Sequence, residues 1–119
     1  MLPFSVAMDN STKSQVREVI VDHVGKENAI FAGDVAEIAG IDDGDTHVRT
    51  REYLTELLRE GLPIASNPGH GYWIIKNQEE LDNYIGSLER RALKIRSRKD
   101  KVFEAAERWP ELDLFDEDL

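Results

Sequence analysis

Apolar residues recur at intervals of three and four near the start of the chain, at Val16, Val19, Ile20 and Val24. The preceding Thr12-Lys13-Ser14-Gln15 has the Ser/Thr-x-x-Gln form of a capping box, in which two side chains satisfy the free N–H groups of a helix N-terminus. The pattern therefore predicts an amphipathic helix over residues 13–24, which Gly25 would end.

Two further helices are predicted before the chain reaches Gly61. Asp34 can cap a short helix that Gly40 would end, and the acidic segment Asp42-Asp43-Gly44-Asp45 forms a turn. A longer helix then follows over residues 46–60. At 100° per residue its buried face is expected to consist of Leu54, Leu57 and Leu58. Thr50 shares this register, so we expect it to be half buried.

Beyond Gly61 the pattern changes to short β-rich runs, at residues 62–66 and 71–75. The four residues between them, Asn67-Pro68-Gly69-His70, are turn formers, so the segment predicts a β-hairpin. Within it Trp73 is expected to pack in the core. Helical sequence returns at Gln78.

A heptad pattern runs through the predicted long helix, residues 78–108. Its core positions are Leu81, Ile85, Leu88, Ala92, Ile95, Lys99, Val102, Ala106 and Trp109. Such a stripe favours a homodimer through residues 78–109, as a parallel or an antiparallel coiled coil. Alternatively, the first half of the helix packs on the preceding domain and the remainder projects or folds back.

The amino-acid composition excludes several classes of function. The 119 residues include 24 acids and 15 bases, a net charge of −9, and no cysteine, which excludes disulfide scaffolds and thiol chemistry. No apolar run approaches the ~20 residues of a membrane span, and the first eight residues lack the basic region of a signal peptide, so we expect a soluble cytoplasmic protein without membrane contact. The charge is uneven, because residues 46–101 hold eleven bases and eight acids.

The sequence shows no pattern that indicates catalysis. The three histidines, His23, His47 and His70, lie on three different predicted elements and lack metal-ligand spacing. Phosphate-binding loops and hydrolase motifs are absent from the sequence. We therefore expect neither an enzyme nor a cofactor or metal ion.

The region after the acidic turn resembles a known family. Residues 48–64 carry Arg49-x-Arg51-x-Tyr53-Leu54-x-x-Leu57-Leu58-Arg59-x-Gly61-Leu62-Pro63-Ile64, and Gly69-x-Gly71-Tyr72-Trp73 follows. This string, after two helices, is similar to the winged helix-turn-helix domains of the biotin-repressor type and of small phage and archaeal regulators. The resemblance covers residues 13–76. It implies an α+β, mostly α fold, with three helices and a β-hairpin wing, followed by the long C-terminal helix.

The expected organisation has four parts: an N-terminal arm (1–12), the winged helix-turn-helix domain (13–76), the long dimerisation helix (77–109) and an acidic tail (110–119). The tail could dock a partner protein. It could also fold over the basic residues of the long helix and compete with DNA, in which case deleting residues 110–119 should tighten DNA binding.

The resemblance implies that the N-terminal half of helix 46–60 enters the DNA major groove. Arginines there can read guanine, and threonine hydroxyls can contact phosphates. The candidate DNA-binding residues are Thr46, His47, Arg49, Thr50 and Arg51 in this helix, Asn67 and His70 in the wing, and Arg90, Arg91 and Lys94 in the long helix. The arginines could instead form a solvated face paired with neighbouring acids.

The favoured function is a sequence-specific binder of double-stranded DNA, a small dimeric transcriptional regulator from a viral or archaeal setting. One alternative is a winged-helix protein–protein interaction module that does not touch DNA. Another is a replication or partition accessory protein that binds DNA within an assembly. The bound site or the genomic position would separate a regulator from a replication factor.

Overall fold

The fold is α+β and mostly helical. A computed structural model describes residues 9–112. In chain order the elements are α1 (Asn10–Ile20), a 3₁₀ helix (Lys26–Asn28), α2 (Ala32–Ala39), α3 (Val48–Arg59), β1 (Ile64–Asn67), β2 (Gly71–Ile74) and α4 (Gln78–Glu107). The chain divides into two compact units, one ending at Leu81 and one beginning at Asp82. Within residues 9–112, none of the helices combines the length and apolarity needed to cross a bilayer.

Helix α1 begins three residues earlier than predicted, because Asp9 rather than Thr12 is its N-cap. One carboxylate oxygen of Asp9 accepts the Ser11 N–H at 2.9 Å, and the other accepts the Thr12 hydroxyl at 3.1 Å. Residues 10–12, assigned to an arm from sequence, are therefore helical. The helix also ends earlier, at Ile20.

The segment after α1 leaves the helix to join the hairpin. Val24 forms a bridge to Ile74, and the Gly25 N–H donates to the Ile74 carbonyl at 2.8 Å. The partners in these contacts are far apart in the sequence, so the local pattern does not reveal them. The apolar spacing that includes Val24 therefore predicts a helix that is too long. Tertiary hydrogen bonds here outweigh local helix propensity.

Helix α2 begins at Ala32, with Phe31 at its N-cap and no side-chain capping bond. Asp34 lies inside the first turn, so its predicted capping role is wrong. An acid in the first turn still interacts favourably with the positive end of the helix dipole. The predicted end at Gly40 is confirmed, since Gly40 is the C-cap with a left-handed φ of 74°.

The core lies where the first three helices pack together. Val16 and Ile20 of α1, Val35 of α2, and Leu54 and Leu57 of α3 are all buried there. The predicted inward face of the third helix is thus confirmed at Leu54 and Leu57. It is wrong at Leu58, which is 49% exposed, and Thr50 is fully buried rather than half buried.

The hairpin pairs β1 with β2 in antiparallel register, with Ile64 opposite Ile74 and Ala65 opposite Trp73. Ile64 belongs to the core, and Ile74 packs against it. Trp73 is 2% exposed, which confirms the expectation that it packs. Tyr72 extends the sheet through two backbone hydrogen bonds with Ile30, at 2.7 and 2.8 Å. The hairpin is therefore fixed to the segment that precedes α2.

Helix α4 begins at Gln78, as predicted, and ends at Glu107. Asn77 caps it by accepting the Glu80 N–H at 2.9 Å, and the Glu80 carboxylate accepts the N–H groups of Lys26 and Lys76. None of the side chains of α4 is buried. The predicted acidic tail falls mostly on residues 113–119, which lie outside the described residues.

Candidate nucleic-acid interface

The N-terminus of α3 is held by an aspartate in the preceding turn. His47 occupies the N-cap position with a left-handed φ of 54° and makes no capping bond. Its role is taken by Asp43, whose Oδ2 accepts both the N–H and the hydroxyl of Thr50 at 2.9 Å. The other carboxylate oxygen lies 3.1 Å from His47 Nδ1. Asp43 thus ties the acidic turn to the first turn of α3.

The Asp43 carboxylate is buried but keeps its charge. Its side chain is 3% exposed, and burial alone would raise its pKa. The two hydrogen bonds from Thr50 and the contact with His47 outweigh this effect, so the pKa of Asp43 is lowered from its ordinary value. A charged acceptor at a helix N-terminus is also favoured by the helix dipole. The first turn of α3 is therefore fixed before any ligand arrives.

Two arginines project from the same part of α3. Arg49 and Arg51 are exposed, and within residues 9–112 neither forms an ion pair. At the other end of the helix, Arg59 contacts Glu56 at 3.3 Å. The alternative interpretation, in which Arg49 and Arg51 pair with neighbouring acids, therefore has no support in the described contacts. Their guanidinium groups are available to an external acceptor.

The structure removes Thr50 from the candidate contacts. Its side chain is fully buried, and its hydroxyl donates to Asp43. The predicted phosphate contact by this hydroxyl is therefore wrong, because the side chain belongs to the core that the leucines of α3 form. Thr46 remains exposed in the turn before α3.

His47 is held in place from two sides. Its Nδ1 contacts Asp43, and its Nε2 lies 3.0 Å from the position that a Cβ on Gly33 would take. The absence of a side chain at Gly33 therefore leaves room for the imidazole against α2. The His47 side chain is 31% exposed, so it is half buried.

The two candidates in the hairpin interact with each other. Asn67 Oδ1 accepts the His70 N–H at 2.7 Å and lies 3.1 Å from His70 Nδ1. The His70 ring also meets Trp73 edge to face, with centroids 6.4 Å apart. His70 is exposed, whereas Asn67 is half buried. The asparagine carbonyl thus stabilises the turn, and His70 is the side chain of this pair that faces solvent.

The three candidates on α4 belong to the second unit. Arg90, Arg91 and Lys94 are all exposed there. They are part of a denser group, since residues 90–101 carry seven bases and one acid. Residues 9–81 instead carry seven bases and fourteen acids. The positive charge of the middle of the chain therefore belongs to α4 and not to the domain that contains α3.

Sequence reasoning missed Asp43, which it treated as one residue of an acidic turn. A usable signal was present: Thr50 is a polar residue in an inward-facing register, and a buried hydroxyl needs a hydrogen-bond partner. The preceding turn offers several carboxylates. Only the fold decides that Asp43, and not Asp42 or Asp45, reaches Thr50.

Within residues 9–112, no cluster of three or more acidic, histidine or cysteine side chains could hold a metal ion. Comparisons with protein-family models, with curated proteins and with solved structures returned no match to this chain. The α+β, mostly helical fold and its surface chemistry are therefore the basis for any functional assignment.

Proposed function

We propose that this protein is a sequence-specific DNA-binding regulator of the winged helix-turn-helix type. In this proposal the N-terminal half of α3 enters the major groove, and the β1–β2 hairpin is the wing. The observation that carries it is the division of α3 into two faces: Leu54 and Leu57 are buried in the core, while Arg49 and Arg51 are exposed and unpaired among the described residues.

The order of elements supports this proposal. Three helices precede a hairpin, and the hairpin is hydrogen-bonded through Tyr72 to Ile30, just before α2. The wing and the helices are therefore parts of one unit. A major groove is about 12 Å wide and accepts one α-helix, so the DNA-facing side chains must lie on an exposed face of a helix that is fixed from behind. Helix α3 meets this requirement.

The chemistry of the two arginines fits base recognition. Guanidinium groups can donate two parallel hydrogen bonds to guanine O6 and N7, and each such contact discriminates by about 1–3 kcal/mol. Asp43 holds the first turn of α3 and so limits the positions that Arg49 and Arg51 can reach. A pre-formed helix loses less entropy on binding than a helix that must order on DNA.

Selection of bound sequences from a random DNA pool tests the proposal. We expect a defined site, and we expect Arg49→Ala and Arg51→Ala each to weaken its binding about tenfold or more and to relax the preference for guanine. Gel-shift titrations of the selected site at fixed salt measure these losses. Arg59→Ala is the matched control, since it removes the same charge from the same helix about 15 Å further along.

Equal losses for all three variants would indicate a general charge effect and would contradict base reading by α3. Binding that is independent of sequence would also contradict the proposal. The titration should be repeated at several salt concentrations, because the phosphate contribution falls with salt while the base preference persists.

One observation favours a second candidate function, a protein–protein interaction module. The domain that contains α3 has twice as many acids as bases over residues 9–81. Such a surface suits a basic protein partner better than a polyanion. No DNA binding at low salt, together with unaltered behaviour of the Arg49→Ala and Arg51→Ala variants, would favour this module.

A further inference from the structure

The second unit presents an apolar stripe to solvent. Along α4 the stripe follows a heptad pattern whose central residues are Ile85, Leu88, Ala92, Ile95, Lys99 and Val102. Ile95 and Val102 are 68% and 61% exposed, and Ile85 is 45% exposed. An exposed row of large apolar side chains at heptad spacing is typical of the seam of a coiled coil.

We propose that α4 pairs with α4 of a second copy in an antiparallel coiled coil of one defined register. In this register Ile85 lies opposite the partner's Val102, Leu88 opposite the partner's Lys99, and Ala92 opposite the partner's Ile95. Each contact occurs twice, and the two-fold axis passes between Leu93 and Lys94. The inference is independent of DNA binding and rests on the core layers and the flanking charges.

The core layers favour the antiparallel arrangement. A parallel pair would place Lys99 against the partner's Lys99 and Ala92 against the partner's Ala92, giving one layer of like charges and one underfilled layer. The antiparallel register places a large side chain opposite the small Ala92. It also lets the Lys99 stem cover the partner's Leu88 while its ammonium group reaches solvent.

The charges beside the seam favour the same arrangement. In a parallel pair Arg91 would face the partner's Arg96, and the flanking positions between Asp82 and Phe103 would form no pair of opposite charges. In the antiparallel register Glu89 faces the partner's Arg96 on one edge, in two equivalent pairs. On the other edge Arg91 faces the partner's Arg98, which is repulsive. The antiparallel pair therefore has attractive contacts that the parallel pair lacks.

The charged residues of α4 are also distributed unequally between the two edges of the helix. On one edge of α4, the positions beside the seam and the outer positions next to them carry only bases in the central heptads. These residues are Arg91, Lys94, Arg98 and Lys101, and all of them are exposed. Two antiparallel copies bring these rows side by side. The pair thereby gains a surface of eight positive charges, which a single helix does not have.

Cross-linking between introduced cysteines tests the direction of the helices, and the cysteine-free chain makes this possible. A mixture of Ile85→Cys and Val102→Cys proteins should form mixed disulfides on mild oxidation, because the proposed register brings these positions together. Leu88→Cys alone should form none, since its two copies would lie about 16 Å apart along the axis. Efficient Leu88→Cys dimers without mixed Ile85–Val102 products would overturn the proposal.

Charge reversal tests the register independently. Arg96→Glu should weaken dimerisation about tenfold in sedimentation equilibrium, because Glu89 would then face a carboxylate in two equivalent pairs, and Glu89→Arg together with Arg96→Glu should restore it. A parallel pair predicts the opposite result for Arg96→Glu, since the new carboxylate would face Arg91. Glu104→Arg, a charge reversal at an outer position of α4, is the control.

Two outcomes of the sedimentation measurement would overturn the proposal outright. One is a wild-type chain that stays monomeric at 0.1–0.2 mM, roughly the upper range in which weak coiled coils associate. The other is an Arg96→Glu variant that dimerises more tightly than wild type. Circular dichroism of each variant confirms that the helix is retained.

Discussion

Replacing Gly71 with alanine is expected to lower the free energy of unfolding by about 3–5 kcal/mol. Gly71 opens β2 with a φ of +95°, and a Cβ built on it would lie 2.3 Å from the Ile30 carbonyl oxygen and 2.9 Å from the Phe31 Cα. These neighbours are backbone atoms, which cannot rotate away as a side chain can. The chain would have to separate at the bridge between Ile30 and Tyr72.

The expected loss has two physical parts. A positive φ costs a residue with a side chain about 1–3 kcal/mol, and each of the two hydrogen bonds between Ile30 and Tyr72 contributes about 1 kcal/mol. Urea denaturation followed by circular dichroism measures the total. Gly69→Ala is the matched control in the same turn, because the nearest atom to its new Cβ would be 3.8 Å away. Similar losses for both variants would contradict the close approach at Gly71.

Replacing Asp43 with alanine is expected to lower the free energy of unfolding by about 2–3 kcal/mol. The substitution leaves the buried Thr50 hydroxyl and the Thr50 N–H without their acceptor. Chemical denaturation at pH 7 measures the change. Asp45→Ala removes the same charge from an exposed position in the same turn and should change stability by less than about 0.5 kcal/mol.

The pH dependence of stability gives a second test of Asp43. Its pKa is lower in the folded state than in the unfolded chain, where it is about 3.9, so its contribution to stability is fully present above pH 4. The contribution is lost as the pH falls through the folded-state pKa. The stability difference between wild type and Asp43→Asn should therefore shrink below about pH 4. A difference that stays constant down to pH 2 would contradict a charged Asp43 in the folded protein.

Predictions from the sequence were correct where the structure of an element depends on its own residues. The inward positions of α3 at Leu54 and Leu57, the start of α4 at Gln78 and the end of α2 at Gly40 follow from local spacing and from helix-ending residues. Leu58 was misassigned because 100° per residue places it on the edge of the buried face, where neighbouring elements decide burial. The structure leaves that edge uncovered.

Features that depend on distant contacts could not be predicted. The end of α1 depends on Ile74, and the need for glycine at position 71 depends on Ile30. In both cases the partner residue lies about forty residues or more away in the sequence, so no local sequence pattern reveals the contact. Thr50 is a different case, because its partner Asp43 lies only seven residues before it. The fold decides which carboxylate of the preceding turn reaches the buried hydroxyl.

Two of the candidate residues could be assigned to an exposed helix face from the sequence. The sequence identified Arg49 and Arg51, and the structure places both in solvent without an ion pair among residues 9–112. The sequence also shows an excess of bases over acids in residues 46–101. The described fold instead separates an acidic domain from a basic stretch of α4, because charges that are close in sequence fall in different units.

The proposed register of α4 also defines a length. Its two-fold axis passes between Leu93 and Lys94, so the two copies of Asp82 are separated by the rise of 23 helical residues, about 35 Å along the axis. Asp82 is the residue at which the second unit begins. One turn of B-DNA measures about 34–36 Å. In such a pair the two Asp82 residues would therefore be separated, along the axis of α4, by about the length of one turn of the double helix.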